Sequence, residues 1–133
     1  MASPPSFESP RVLLILPDHW PRALLRAQLR EEGYDAIGAR SVEEALVYRP
    51  EVPERGPVRL VLVDADAMDE GGLADLLARH GNPPGALLVH TGQEVPPGSW
   101  VRVIRRPASI ADLARAVGEL VPLPERSRGP LDG

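Results

Sequence analysis

Short apolar runs, each followed by a stretch with helical spacing, constrain this chain more than any other feature. RVLLIL (11–16) is an almost uninterrupted apolar run, as a strand covered on both faces would be. Residues 58–63 repeat that character and end at Asp64; GALLVHT (85–91) and WVRVI (100–104) follow, and YDAIGA (34–39) is a weaker second strand. Helical patterns lie between them. Pro21 opens a helix to Glu32, in a place where its missing N–H costs nothing. Leu25 and Leu29 lie one turn apart, and Gly33 follows as the C-cap. SVEE, Ser41 to Glu44, is a capping box that begins a short helix to about Tyr48. EVPERGP reads as loop. Leu73, Leu76 and Leu77 mark a helix stopping near Gly81, and Ser109 caps a last one with Ile110, Leu113, Ala114, Val117 and Leu120 on one face.

Such alternation predicts a parallel sheet with helices on both faces, built from right-handed βαβ units. Ligands of open parallel sheets bind at the carboxyl ends of the strands. Asp18, Asp64, Thr91 and Arg106 all fall just after strands, the first, third, fourth and fifth, and form the candidate site.

At 133 residues the chain is long enough for one core and too short for two. Residues 1–10 and 122–133 are rich in Pro, Ser, Gly and charge, so flexible tails are expected around a domain at 11–121. No apolar run is long enough to span a bilayer. The start, MASPPSFESP, lacks the basic and apolar regions of a secretory signal. Without cysteine there are no disulfides, thiolate nucleophiles or Cys-ligated metals, and a cytoplasmic home is expected. The net charge of −4 argues against a nucleic-acid surface. All 15 basic residues are arginine, so any role for a lysine ammonium falls to a guanidinium or to nothing.

The segments VRLVLVDADAMDEGGL, LLVHTG and VIRRPASIADL, in this order and spacing, resemble the receiver domain of two-component response regulators, a CheY-like group with a flavodoxin-like fold. The resemblance spans roughly residues 11–121. It implies a phosphoacceptor aspartate at Asp64, which attacks a phosphohistidine donor and becomes an acyl phosphate. Gly72 matches the glycine before the next helix, and Thr91 the Ser/Thr that ends the fourth strand. Arg106-Pro107 stands where the family has Lys-Pro, with the bond before the proline typically cis. An acidic pair after strand one would hold Mg²⁺ and neutralise the transferring phosphoryl group. Asp66 matches a rim position, where it affects the access of water to an acyl phosphate or is simply solvated.

Several residues depart from that pattern. Aligned without gaps from Arg11, and again by counting back from Leu25, Leu29 and Gly33, the acidic pair is replaced by Leu16 and Pro17. Asp18 falls one position late, so any metal would have only Asp64 and Asp18, whereas magnesium wants near-octahedral oxygen ligation. Arg106 offers a planar fork in place of an ammonium, and Val103 occupies the aromatic switch position. Only the nine residues GQEVPPGSW separate Thr91 from Val101, with Pro96 and Pro97 adjacent. A parallel crossover that includes a helix needs a dozen or more, so the fourth helix is expected to be lost or reduced.

Other residues carry two readings each. Asp18 and His19 with Asp64 fall short of a transition-metal site, because His80 and His90 lie in separate contexts. His90 points to the opposite face from Thr91 and reads as half-buried packing. Trp20 and Trp100 either shield the shortened crossover or anchor a partner. Arg22, Arg26 and Arg30 form a solvated stripe or a docking patch. A flavodoxin-like cofactor binder is disfavoured, since PDHWPR replaces the Gly-rich loop after strand one.

The reading is therefore an atypical receiver-like domain with a five-stranded parallel sheet in the order 2-1-3-4-5. It is expected to act without enzymatic activity or cofactor, by docking to a protein partner, a sensor kinase or a downstream signalling protein. The alternative is a working phosphoacceptor in a phosphorelay, phosphorylated on Asp64 with Mg²⁺.

Overall fold

Alternating side-chain directions divide each apolar run between two cores. The computed structural model describes residues 9–47, 51–52, 56–68, 72–79, 84–92 and 94–123. Most of both expected tails, with Tyr48, His80 and Gly81, lies outside them. The elements run β1 Arg11–Ile15, α1 His19–Glu32, β2 Asp35–Ala39, α2 Val42–Ala45, β3 Gly56–Asp64, α3 Gly72–Ala78, β4 Gly85–His90, β5 Arg102–Arg105 and α4 Ile110–Leu120. The five strands are parallel, as the alternation predicts, and lie in the order β2-β1-β3-β4-β5 that the receiver resemblance implies.

On one face Leu14, Leu62 and Val89 pack with Leu25 and Leu29 of α1 and with Leu113 and Val117 of α4. On the other, Ile15, Val63 and Leu88 meet Val42 of α2 and Leu73 and Leu76 of α3. The central strands are buried on both sides, which explains why their sequences read as continuous rather than alternating apolar runs.

Helix starts differ slightly from the sequence reading. α1 begins at His19, with Asp18 as an N-cap whose side chain makes no capping bond. Pro21 lies inside the first turn, where no N–H has an intrahelical partner to lose. Gly33 ends α1 with φ 115°, its N–H donating to Leu29 O and Arg30 O. Ser41 Oγ accepts from Glu44 N at 3.1 Å, but the Glu44 carboxylate reaches back to the N–H of Arg40, one residue before the cap. That helix closes after Ala45. Part of the segment read as loop is a short ribbon: Glu51–Val52 pairs antiparallel with Gly56 and Pro57. Gly56 enters β3 with φ 82°, a conformation only glycine adopts freely.

No helix occurs among the described residues between β4 and β5. β5 therefore buries only one side well. Ile104 packs on the α1/α4 core, while Val103, paired with Leu88, is 39% exposed on the α2/α3 face. Trp100 covers part of the gap: it packs on the second core and donates its indole N–H to Pro96 O at 2.9 Å. Pro96 and Pro97 leave the backbone unable to form the helix that would cover β5.

Tyr34 ties the two ends of the domain together, its buried hydroxyl donating to Val121 O at 2.6 Å. Burial first, and the charge of Glu32 second, push its pKa above the ordinary tyrosine value. The fold thus favours the neutral phenol, so this contribution is present below the ordinary pKa and lost as pH rises through the raised one. Tyr34→Phe is expected to lower stability by about 1 kcal/mol at neutral pH. It should also remove part of the alkaline loss; urea unfolding at about pH 8 and about pH 11 compares the two. Equal alkaline losses in both proteins would contradict this.

Candidate functional site at the carboxyl end of the sheet

The central strand β3 delivers Asp64 to the carboxyl edge of the sheet, where the residue is only 3% exposed. Both of its carboxylate oxygens are engaged. Oδ1 accepts the N–H of Asp66 at 2.8 Å and so caps the 3₁₀ turn Ala65–Ala67. Oδ2 lies 2.5 Å from a terminal nitrogen of Arg106. Arg106 is held in turn by its own N–H, which donates to His90 O at 2.8 Å, and is followed by a cis bond to Pro107. The arginine reaches Asp64 because β5 and β3 flank β4, and both chain ends emerge on the same edge.

Among the described residues none of the other candidates makes a side-chain hydrogen bond to this pair. Thr91 follows β4 and is exposed, and among the described residues no hydrogen bond joins it to Asp64. Asp66 contributes its backbone N–H, with its side chain in solvent. Asp18 is exposed at the start of α1. Leu16 is buried in the α1/α4 core at 1% exposure, and Pro17 is half-buried. His90 is more deeply buried than its half-buried expectation, and its Nδ1 has no partner among the described residues.

Sequence reasoning singled out Arg22 only as part of a stripe. Its terminal nitrogen donates to Leu16 O at 2.7 Å and to Pro17 O at 3.4 Å, clamping the loop where the family carries its acids. An arginine six residues after an apolar strand end was the available signal, but sequence spacing alone does not show which carbonyls it meets.

These donors do not fit Mg²⁺, which prefers a nearly complete octahedron of oxygens. Among the described residues Asp64 is the one carboxylate held in the pocket, and a guanidinium already neutralises it. Among the described residues no group of three His, Cys, Asp or Glu side chains is placed to share a metal ion. Nor is any described helix long and apolar enough to cross a membrane.

The sheet order, the two helical layers and an aspartate at the end of the third strand make this the CheY-like receiver fold of response regulators. A receiver domain protein from Bacillus halodurans superposes with a TM-score of 0.68 at 19% identity, covering 86% of this chain and 98% of that one. A response regulator from Thermotoga maritima gives 0.65 at 15% identity, over 85% and 98%. A protein described as an adenylate cyclase from Rhodopirellula baltica gives 0.67 at 19% identity, over 84% and 86%. In sequence, the chain is 43% identical over 65 residues to the transcriptional regulatory protein AruR of Pseudomonas aeruginosa, which is 48% of this chain. That alignment spans only 27% of AruR. No protein-family model matches the chain.

Proposed function

We propose that this domain is a receiver-like docking module of two-component signalling whose pocket is held in one state by an internal ion pair rather than switched by phosphorylation. The observation that carries this reading is the double engagement of Asp64, with Arg106 on one oxygen and the Asp66 N–H on the other. The guanidinium draws charge from the carboxylate and lowers its nucleophilicity, and phosphoryl transfer needs its developing charge neutralised by a well-held cation. Leu16 and Pro17 supply no ligand for one. The partner on this reading is a sensor kinase or a downstream signalling protein in the cytoplasm, and the domain itself catalyses no reaction.

Incubation with a small phosphodonor such as acetyl phosphate and millimolar Mg²⁺ tests it, with intact mass spectrometry as the readout. No adduct is expected on the native chain. Stoichiometric addition of one phosphoryl group, absent from Asp64→Asn, would establish Asp64 as a working phosphoacceptor and overturn the proposal.

A further inference from the structure

A second concave site lies at the β2 edge of the sheet, and Asp64 is not among its lining residues. It is a cleft of about 360 Å³ between α1 and β2, lined by His19, Arg22, Ala23, Arg26, Ile37 and Gly38. Its arginines are held in place by backbone carbonyls. Arg22 is fixed by Leu16 O and Pro17 O, and Arg26 donates its Nε–H to Ala36 O at 3.0 Å. Each bond uses one nitrogen of a guanidinium whose other N–H groups remain. Among the described residues neither arginine pairs with a carboxylate. No acid stands in the first turn of α1.

Arg22 also acts electrostatically on one acid, Glu44. Its pKa is lowered chiefly by the Arg40 N–H, and Arg22 adds the smallest of the lowering contributions. The Glu44 carboxylate is already taken by that N–H at 2.7 Å and by the Arg40 guanidinium at 3.3 Å. Two positive charges are thus set against an apolar wall without a counter-charge in the cleft. Glycine at 38 maintains the arrangement, since a Cβ there would come within 3.2 Å of the Arg22 stem.

We propose that this α1/β2 cleft binds a phosphate monoester dianion, gripped between the guanidiniums of Arg22 and Arg26. A lone carboxylate is satisfied by one guanidinium fork, whereas a tetrahedral dianion has oxygens and charge for two. Backbone bonds that position both arginines beforehand reduce the side-chain ordering that binding requires.

The test titrates the full chain with inorganic phosphate at constant ionic strength, following arginine Nε–H and backbone amide signals by NMR. Saturable shifts at Arg22, Arg26, Ile37 and Gly38 are expected, with a dissociation constant of about 1 mM. Arg26→Gln, at an exposed position, should weaken binding at least about tenfold. Arg115→Gln on α4 should leave it unchanged. Adenosine monophosphate and phosphoserine, titrated in parallel, separate a nucleotide from a phosphorylated side chain as the source of the phosphate, by whichever binds tighter. Shifts reproduced by chloride at the same ionic strength, or unchanged affinity in Arg26→Gln, would overturn the proposal. Asp64→Asn separates the two sites, because it frees Arg106 for an anion: phosphate should shift the cleft signals as in the native chain, and a rise in the affinity read at those signals would relocate the anion to Arg106 and end the proposal for this cleft.

Discussion

Arg106→Met is expected to destabilise the domain by about 3 kcal/mol, and adding Asp64→Asn to that variant to recover much of the loss. Removing one member of a buried ion pair strands the other charge, at a cost of about 3–5 kcal/mol when both are fully buried. The Arg106 side chain is 29% exposed against 5% for Asp64, so water reaches the pair and the lower end applies. Asp64→Asn alone should cost less, about 1 kcal/mol, because Oδ1 still accepts the Asp66 N–H and Arg106 can turn toward solvent. Urea unfolding of the four proteins gives the coupling energy, expected at about 1–3 kcal/mol. Additive single effects would mean that the contact does no more than coexist with the fold, and the internally held pocket would lose its energetic basis.

Leu16→Asp should be at least as damaging, at about 4 kcal/mol. The substitution removes a side chain from the α1/α4 core, where Leu16 is 1% exposed, and puts a carboxylate in its place. Leu16→Met, which nearly conserves volume, should stay within about 1.5 kcal/mol. Pro17→Asp, at a half-buried loop position, should change stability by no more than about 1 kcal/mol. Thermal or urea unfolding of the three variants orders them. A stable Leu16→Asp would show that this position still tolerates a charge facing the pocket, and that its place in the core is incidental. The expected order carries a functional consequence: an acid at position 16 is opposed by the core itself.

How much of the fold was legible follows from the residues. RVLLIL, VRLVLV and ALLV could be assigned as buried strands because burial on both faces removes the alternation that a one-sided strand shows. That no helix lies between β4 and β5 among the described residues was legible from Pro96, Pro97 and the short interval, since a missing N–H and a fixed φ are local properties. The Glu51–Val52 ribbon was not, because a two-residue pairing has no period to detect. Nor was the start of α1, where Pro21 fits any position of a first turn that has no N–H bonds to lose.

The site was legible to a lesser degree. That Asp64 and Arg106 lie after their strands is a sequence-level statement. That the two meet is not, because they lie 42 positions apart in the chain and only the parallel register of β3, β4 and β5 brings their ends to one edge. The same limit applies to Arg22: four-residue spacing puts it on a stripe with Arg26, but the carbonyls they grip belong to the loop after β1 and to β2.

What the sequence determined by itself was therefore local and periodic: element type, the prolines that bar a helix before β5, the lack of acids at Leu16 and Pro17, and a guanidinium at Arg106. These depend on backbone chemistry and side-chain identity within a few residues. Tertiary structure alone decided that Arg106 closes on Asp64, that Leu16 is core rather than pocket, and that Arg22 and Arg26 line a cleft without an acid. Contacts between residues far apart in the chain are set by sheet register and helix packing, which no local pattern encodes.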